Sequence, residues 1–402
     1  MSHNLDQCLR LIKEAAEAGA KVGYAPIPTS ILGRFQGYCT CLSSEGRHHS
    51  LSALSLIPRL QNRDILLRPF GGLVRATRVK ASTVYHIRRD IIAGSYNSEA
   101  YRLPIAQAIF FPEASDYIAS SPQESLSLAR PESECPFVLG LQAAAKEHNI
   151  HISAGVHVPT TEPSPPPRAS SSSASSAAAA TTTTTTTTTK LLNRTIWVLP
   201  TGEVDASRGY DKLHLFDYGS LRESAHTRAG TRLVPPFDTP VGRVGSLICF
   251  DLRFPEAATA LAQPSPPTQQ QQQQAGESHQ GKEVRWLPAQ ILTYPSAFTV
   301  PTGAAHWETL LRARAIEAQC WVIAAAQVGW HSGRTGTGRI SYGGSMVVDP
   351  WGRVRCALPA VEETGEEGPF VPHGAVGALG LVDIDLGLWA SVRERMPLVR
   401  RR

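Results

Sequence analysis

The sequence predicts a layered α/β domain built around a mixed β-sheet. Apolar segments typical of strands alternate with amphipathic segments typical of helices along much of the 402-residue chain. Several strand segments are joined by short turns, whereas a purely parallel sheet would need a crossover between every pair of strands. Once the low-complexity and inserted segments described below are set aside, roughly 265 residues remain, which suits one large domain.

The first half of the chain begins with a helix. Asn4 is positioned to cap a helix that runs to about Ala18, with Gly19 as its stop. The elements expected after it are a buried strand at 108–112 (AIFFP), a capped helix at about 121–128, a helix near 136–147, a strand near 150–158 and a hairpin at 195–206 with its turn at 200–202.

The second half alternates more regularly between strands and helices. The segments that predict these elements are VGRVGSLICF (strand), PEAATALA (helix), AQILTYP (strand), HWETLLRARAIEAQ (helix), CWVIAAAQV (strand), SYGGSMVVDPWGRVRCA (two strands around a turn) and ALGLVDIDL (strand before a C-terminal helix).

Two tracts are expected to be insertions in this domain. Residues 159–189 are rich in Pro, Ser and Thr, and residues 264–285 contain a run of Gln. Such compositions cannot bury enough apolar surface to offset the entropy of ordering the chain.

Charge and cysteine content exclude several function classes. The net charge is +5, but residues 22–107 alone carry +7, which leaves the remainder at −2 without a basic stripe that would bind nucleic acid. No apolar run reaches the roughly 18 residues needed to cross a bilayer. The seven cysteines are scattered, without the spacing of a zinc site or a disulfide framework; Cys39 and Cys41 are given no role. A soluble, reduced, cytoplasmic protein without membrane or nucleic-acid partners is expected.

Four residues carry candidate chemistry. Cys249 ends the apolar run VGSLIC and precedes polar residues, which places it where a strand gives way to a loop, although a cysteine in such a run is commonly core. A free thiol is mostly protonated at neutral pH, so a nucleophilic role requires a base or a cation nearby. Glu113 after AIFFP, Lys212 in YDKLHLFD and Glu223 in GSLRESA could supply these groups.

Taken together, these motifs resemble the nitrilase superfamily of carbon–nitrogen hydrolases, within its Nit branch. The stretches that carry the resemblance are FFPEASDYIA, YDKLHLFD, CFDLRFPE, ILTYPSAFTVPTGAAHWETLLRARAIEAQCWVIAAAQ and YGGSMVVDPWG. The resemblance implies a four-layer α-β-β-α sandwich with mixed sheets. It also implies a chain that assembles as a homodimer or a larger homo-oligomer.

The resemblance further implies a role for each candidate residue. Glu113 would be the general base, Cys249 the nucleophile, and Lys212 the cation beside the developing oxyanion, with the backbone N–H of Phe250 as a second donor. Glu223 would hold Lys212 and the substrate. A thioester would form on Cys249 and be hydrolysed by water, with no metal or cofactor required.

Other residues near these motifs are expected to form ion pairs or to line a pocket. Asp251, Arg253 and Glu256 are expected to form structural ion pairs around Cys249, and Arg312, Arg314 and Glu317 to pair along a helix. The residues that would line a substrate pocket are Phe250, Tyr294, Phe298 and His306; core packing is an equal alternative for Tyr294, Phe298 and Trp307. Thr302, Gly303 and His306 are expected on a loop that follows Phe298.

One long segment departs from the pattern that the resemblance implies. In the family the first helix follows a strand and leads straight to the strand of the catalytic Glu, yet residues 22–107 stand between them here and no strand precedes the helix. The segment opens with Val-Gly-Tyr and closes with Ala-Gln, which the usual ends of an intron can encode. We hypothesise a retained or mispredicted intron with the true start upstream; a genuine surface insertion is the alternative. A chain made as written would lack one strand.

The expected function is hydrolysis of the amide of a small carboxylate-bearing substrate such as deaminated glutathione. The alternatives are an ω-amidase that acts on 2-oxoglutaramate or 2-oxosuccinamate, and a catalytically compromised member that only binds. With the true start hypothesised upstream of residue 1, a mitochondrial form is the alternative to the cytoplasmic one.

Overall fold

The computed structural model describes residues 2–18, 22–24, 107–163, 187–219, 221–263, 286–331, 338–364 and 368–398. Most of the three segments assigned to insertions, and Cys39 and Cys41 with them, lie outside these residues. The helices are α1 (Ser2–Ala18), α2 (Pro122–Leu128), α3 (Pro136–His148), α4 (Pro255–Ala262), α5 (Val300–Ala318) and α6 (Leu386–Arg395).

The strands are short apart from one long antiparallel pair. In chain order they are β1 (Val22–Tyr24), β2 (Ala108–Phe110), β3 (His151–Pro163), β4 (Thr187–Val198), β5 (Tyr210–Asp211), β6 (Asp217–Tyr218), β7 (Leu221–Arg222), β8 (Phe237–Thr239), β9 (Gly242–Ser246), β10 (Ile291–Thr293), β11 (Trp321–Ala324), β12 (Val328–Trp330), β13 (Ile340–Tyr342), β14 (Met346–Val348), β15 (Val354–Ala357), β16 (Glu362–Glu363), β17 (Pro369–Phe370) and β18 (Gly380–Val382).

Within the described residues these strands form two six-stranded mixed sheets and three hairpins. The first sheet has the order β18-β1-β2-β3-β4-β5 and the second the order β15-β14-β11-β10-β9-β8. In the first sheet β2 pairs in parallel with β1 and β3, while β3 and β4 are antiparallel. In the second, β10 lies parallel to β9 and β11, and β11 is antiparallel to β14.

The two sheets pack face to face with helices outside them. Alternate residues of one strand point to opposite faces, so Phe110 faces a core between the sheets while Ile109 and Phe111 face the helices. Helices α1 and α3 cover the first sheet, and α4 and α5 cover the second. The α-β-β-α sandwich expected from the resemblance is therefore confirmed.

Helix α1 is positioned differently from the expectation. It begins at Ser2, so Asn4 lies inside the helix and is not its cap. The Asn4 side chain is buried and donates from Nδ2 to the carbonyl oxygens of Ser115 (3.2 Å) and Asp116 (3.3 Å). The residue that suggested a helix start instead ties α1 to the loop that follows Glu113.

Strand β1 occupies the position in the sheet that the sequence analysis expected to be empty. Val22–Tyr24 pairs in parallel with β2 and in antiparallel register with β18, opposite Gly380–Val382. These residues are the first three of the segment that we had assigned to an insertion. The ladder of the first sheet is therefore continuous from β18 to β2.

The hairpin β3–β4 extends further than predicted. Residues 159–163 and 187–189 were assigned to a low-complexity insertion, but they continue the antiparallel ladder up to the pair Pro163 and Thr187. Threonine is β-branched and favours extended backbone, so a Thr-rich tract can prolong a strand. The predicted turn at 200–202 is present, because Val198 and Val204 form a bridge across it.

Helix α5 begins earlier than the sequence indicated. Thr302, Gly303 and His306, which we expected on a loop, lie in its first turns, and Pro301 occupies an N-terminal position where its missing N–H costs no hydrogen bond. The helix ends at Ala318, and the capping residue Gln319 adopts the left-handed conformation (φ 52°). None of the described helices is both long and apolar enough to span a membrane.

Candidate active site

The four candidate residues lie at the ends of strands from both sheets. Glu113 follows β2 and Lys212 follows β5 in the first sheet, while Cys249 opens a 3₁₀ turn (Cys249–Arg253) after β9 of the second. Glu223 begins another 3₁₀ turn, Glu223–Ala225, after β7. The structure thus brings all four side chains to one end of the sandwich.

Lys212 lies between the two glutamates and contacts both. Its Nζ is 2.9 Å from Glu113 Oε1, and 3.1 and 2.9 Å from Oε1 and Oε2 of Glu223. The side chains of Lys212 and Glu113 are only 2% and 6% exposed, so water scarcely screens this pair. A buried cation requires a paired negative charge, and the Lys212 ammonium is paired with two carboxylates, those of Glu113 and Glu223.

Asn193 is a further member of the cluster that the sequence analysis missed. Its Nδ2 donates to Glu113 Oε1 at 2.7 Å and to Glu223 Oε1 at 3.0 Å. The backbone N–H of Phe216 donates to the other oxygen of Glu223, Oε2, at 2.7 Å. Both carboxylates are therefore fixed in orientation by neutral donors as well as by Lys212.

The Cys249 thiol contacts both Glu113 and the backbone. Its sulfur interacts with the Glu113 carboxylate and with the backbone N–H of Ala297, and both groups affect the pKa of the thiol. Burial, followed by the charge of Glu113, raises the pKa of the thiol well above its ordinary value, and the opposing effect of Lys212 does not outweigh them. The resting thiol is consequently protonated and needs a base when it attacks.

Glu113 is in the state that such a base requires. Burial acting alone would raise its pKa, but the Lys212 ammonium and hydrogen bonds from Lys212, Cys249 and Asn193 bring the pKa below the usual value. Burial likewise opposes the charge on Lys212, yet Glu113, Glu223 and Cys249 raise its pKa well above the ordinary value. The geometry thus favours an ionised glutamate facing a protonated thiol.

The backbone that carries Cys249 is held in an unusual conformation. Its φ is 46°, in the left-handed region that side chains other than glycine rarely adopt, at a typical cost of about 1–3 kcal/mol. The amide N–H of Cys249 donates to Pro295 O at 3.0 Å. Buried Arg314 donates from Nε (3.1 Å) and Nη2 (2.9 Å) to Leu252 O, which anchors the same turn to α5.

The neighbours of Cys249 divide between structural and site roles. Asp251 is fully buried and accepts hydrogen bonds from Tyr210 Oη (2.8 Å) and Ile248 N (2.9 Å), so it is structural, as expected. Arg253 was also expected in a structural ion pair. It instead lines the cavity described below, and its Nη2 lies 2.8 Å from His306 Nδ1.

The loop of Glu113 is fixed by contacts from both sheets. Ala114, the next residue, also has a positive φ (54°). Gln327 Nε2 crosses from the second sheet and donates to Glu113 O (2.9 Å) and Ala114 O (3.1 Å), while Gly155 N donates to Pro112 O (3.0 Å). Gln327 was not identified from sequence, because a glutamine after an apolar strand carries no signal of its partners.

A cavity of about 150 Å³ opens over the cluster. Its lining includes Phe250 and Phe298, which the sequence analysis assigned to a substrate pocket, and Thr302 from the first turn of α5. Within the described residues it also includes three arginines, Arg222, Arg253 and Arg339, of which Arg339 donates to Ala297 O at 3.0 Å. With Lys212, these cations outnumber the two lining carboxylates of Glu113 and Glu223, so the cavity suits an anionic ligand.

Two residues assigned to substrate binding lie elsewhere. Tyr294 is fully buried in the core between the second sheet and its helices, and it does not line the cavity. His306 contacts Arg253 from α5 without reaching the cavity lining. Trp307 packs in the core against Phe298, with ring centroids 4.9 Å apart, and its Nε1 donates to Gly344 O at 2.7 Å.

No group of three or more His, Cys, Asp or Glu side chains in the described part of the chain is arranged to hold a metal ion. The donors that converge on the cavity are a lysine, arginines and backbone amides, which bind anions and developing negative charge. The arrangement combines a thiol, a carboxylate and cationic donors, which are the kinds of group that acyl transfer to a thiol requires.

The family model, the similar sequences and the similar structure that match this chain all point to the same family. Residues 91–265 and 283–394 match the family model described as carbon-nitrogen hydrolase. A Schizosaccharomyces pombe protein named probable hydrolase nit2 is 38% identical over 301 residues, 74% of this chain and 86% of the relative. A Mus musculus protein named deaminated glutathione amidase is 39% identical over 312 residues, 76% of this chain and 75% of the relative.

The crystal structure of Caenorhabditis elegans NitFhit aligns with a TM-score of 0.51 and 34% identity, covering 73% of this chain and 56% of that protein.

Proposed function

The chain belongs to the carbon-nitrogen hydrolase family and is a hydrolase of the amidase type, and we propose that it cleaves the amide of deaminated glutathione through a thioester on Cys249. The observation that carries the mechanism is the convergence of three groups in one buried cluster. Glu113 hydrogen-bonds to the Lys212 ammonium at 2.9 Å and interacts with the Cys249 thiol, whose pKa it raises.

In the first step the Cys249 sulfur attacks the amide carbonyl carbon. Glu113 takes the thiol proton as the new C–S bond forms, so no free thiolate has to build up in a site that disfavours it. The carbonyl oxygen becomes negatively charged and receives hydrogen bonds from Lys212 and from the backbone N–H of Phe250. One such donor can lower a barrier by roughly 3–4 kcal/mol.

In the second step the C–N bond breaks and the thioester forms. The proton on Glu113 passes to the leaving nitrogen, which departs as a neutral amine and leaves an acyl group on Cys249. Glu113, ionised again, takes a proton from a water molecule that attacks the thioester carbonyl. Cleavage of the C–S bond then releases a carboxylic acid product, and the proton on Glu113 passes to the sulfur and restores the thiol.

Glu223 and Asn193 would keep Lys212 and Glu113 in place throughout this cycle. Glu223 contacts Lys212 through both carboxylate oxygens, and Asn193 links the two glutamates. When Glu113 is protonated, Glu223 still balances the Lys212 charge. Neither side chain exchanges protons in the proposed steps.

The choice of substrate rests on the charge of the cavity and on the relatives. Deaminated glutathione is an amide that carries two carboxylates, and Arg222, Arg253 and Arg339 line the cavity around Cys249. A charge-assisted hydrogen bond from arginine to a carboxylate is roughly twice as strong as a neutral one. The similarity to the Mus musculus protein named deaminated glutathione amidase favours the same substrate.

The test compares deaminated glutathione with 2-oxoglutaramate, the substrate expected of an ω-amidase. We expect the larger kcat/KM for deaminated glutathione, and mass spectrometry of the products identifies which of its two amides is cleaved. Rapid quenching should trap an acyl group on Cys249, and Cys249→Ala should abolish both turnover and labelling. Preference for 2-oxoglutaramate would assign the chain to the ω-amidases, and undiminished turnover in Cys249→Ala would refute the mechanism.

A binding-only role is the outcome if the wild-type protein binds deaminated glutathione without turnover. The contacts among Glu113, Lys212 and Cys249 argue against it. We also propose homodimeric or larger homo-oligomeric assembly, which rests on the family resemblance. Light scattering of the purified protein tests this assembly directly.

A further inference from the structure

His157 lines the catalytic cavity, but no step of the proposed mechanism uses it. It lies on β3, directly opposite Asn193 on β4, so both side chains emerge on the same face of the sheet at the floor of the site. Its side chain is 15% exposed. A half-buried, ionisable side chain that reaches the cavity at this position can contact whatever the cavity binds.

Asp116 holds the His157 ring in one orientation. Asp116 Oδ1 lies 3.0 Å from His157 Nδ1, and Oδ2 accepts the backbone N–H of His157 at 2.8 Å. The ring of Tyr117 stacks on the imidazole with centroids 4.5 Å apart and planes inclined by 22°. Because Asp116 occupies Nδ1, Nε2 is the ring nitrogen that remains for a ligand.

The charges around His157 favour its protonated form. Burial acting alone lowers its pKa, but Asp116 first, and then Glu113 and Glu223, raise the pKa above the usual histidine value. The other titratable groups nearby are Tyr117, which contributes its ring, and His226, a second histidine of the cavity lining. Burial lowers the pKa of His226, so His226 loses its proton at a lower pH than His157 does.

We propose that His157 determines specificity by donating a charged hydrogen bond from Nε2 to a carboxylate of the substrate, with Asp116 as the residue that positions its ring. This inference rests on the proposed function, because it assigns a binding partner within the same site. The arginines lie at other parts of the cavity lining, in β7, the Cys249 turn and the segment before β13. His157 adds a cation from the β3 side, beside Glu113.

A purely structural role for His157 makes a different prediction. The imidazolium could serve only to balance the negative charges of Glu113 and Glu223, in which case its removal would affect every amide alike. A carboxylate-binding role affects only substrates that carry the carboxylate. A substrate pair that differs only in this group therefore distinguishes the two roles.

The experiment measures kcat and KM for deaminated glutathione and for its dimethyl ester, which has the same skeleton without negative charge. In His157→Gln we expect KM for deaminated glutathione to rise by about 10- to 100-fold, the effect of losing one charged hydrogen bond. We expect kcat to change less than about threefold and kcat/KM for the ester to be unchanged. His148→Gln, at the end of α3 and away from the cavity, is the matched control.

The pH dependence provides a second readout. The wild-type KM for deaminated glutathione should be lowest while His157 is protonated and should rise as pH increases through its pKa. In His157→Gln this rise should disappear. In Asp116→Asn it should move to lower pH, because the carboxylate that stabilises the imidazolium is gone. The proposal would be overturned if His157→Gln lowered kcat/KM equally for deaminated glutathione and its dimethyl ester, or if the pH profile of KM in His157→Gln were unchanged.

A binding measurement keeps this test separate from the test of function. In a Cys249→Ala background, calorimetry gives the Kd of deaminated glutathione without turnover, and adding His157→Gln should weaken binding by about 10- to 100-fold. Absence of turnover in the wild type would refute the proposed function alone. An unchanged Kd in the double variant would refute the role of His157 alone.

Discussion

Gly155 lies directly against the backbone of Glu113. A Cβ at position 155 would come within 2.6 Å of Glu113 Cα and 2.7 Å of Pro112 O, distances that real Cβ atoms do not reach. Both contacts are to backbone, which cannot move aside as the end of a flexible side chain can. The close packing of β3 against the Glu113 loop therefore depends on glycine at this position.

We accordingly expect Gly155→Ala to displace Glu113 from Cys249 and Lys212. A misplacement of about 1 Å in a catalytic group can lower kcat by about 100-fold, and we expect a loss of that order. Gly209→Ala is the control, because a Cβ there would meet its nearest atom at an ordinary 3.5 Å. Steady-state kinetics with unchanged kcat in Gly155→Ala would contradict the proposed role of the Glu113 position.

The pH profile of kcat/KM should report the low pKa of Glu113. The base must be ionised, so activity is present above its pKa in the folded protein and is lost as pH falls through that value. Because Lys212, Cys249 and Asn193 bring the pKa below the usual glutamate range, the acid limb should lie below about pH 4.3. If the acid limb instead lies near pH 6, the group that titrates is not a Glu113 whose pKa is lowered by these neighbours.

Asn193→Asp should move that limb without changing the shape of the site. The new carboxylate would replace an amide nitrogen that lies 2.7 Å from Glu113 and 3.0 Å from Glu223. A like charge at this distance raises the pKa of a carboxylate, so we expect the acid limb to shift upward by about one pH unit or more. Asn149→Asp, at the end of α3, should leave the profile in place.

Two arginines of α5 should differ sharply in their contribution to stability. Arg314 is 6% exposed and donates twice to Leu252 O, so Arg314→Met leaves a buried carbonyl without its donors. We expect the free energy of unfolding to fall by about 2–3 kcal/mol. Arg312 is 50% exposed, pairs with Glu308 and donates to Gly352 O, so Arg312→Met should cost less than about 1 kcal/mol. Urea denaturation measures both, and equal losses would show that Arg314 does not anchor the turn.

The sequence was sufficient to identify the residues that end apolar segments. Glu113, Lys212 and Cys249 each stand where a strand gives way to a polar loop, and the four-layer fold follows from the family that they indicate. Asn193 was missed because it lies inside a strand, and its two partners are distant in the chain. The early start of α5 was missed because Gly303 suggests a loop, whereas in the structure it allows the Tyr342 ring to pack against the helix.

The cavity could not be predicted for a related physical reason. The cavity lining contains three arginines that are far apart in the sequence: Arg222, Arg253 and Arg339. Nothing in the sequence next to any one of them indicates that the three line the same cavity. Arg253 beside Asp251 even indicated a structural pair, but the buried Asp251 is occupied by Tyr210, Ile248 and His214. The competition for that carboxylate is decided by tertiary packing.

The ends of β3 and β4 predict that the tract between them can be shortened. Pro163 and Thr187 lie opposite each other in the antiparallel ladder, so a two-residue turn such as Asn-Gly can join them directly. We expect a chain in which this turn replaces residues 164–186 to retain kcat/KM within about twofold, because the proposed catalytic residues lie on other segments. Its thermal midpoint should be equal or slightly higher, since a shorter loop costs less entropy to close. Loss of folding in the shortened chain, measured by circular dichroism, would show that residues 164–186 contribute to the domain and are not an insertion.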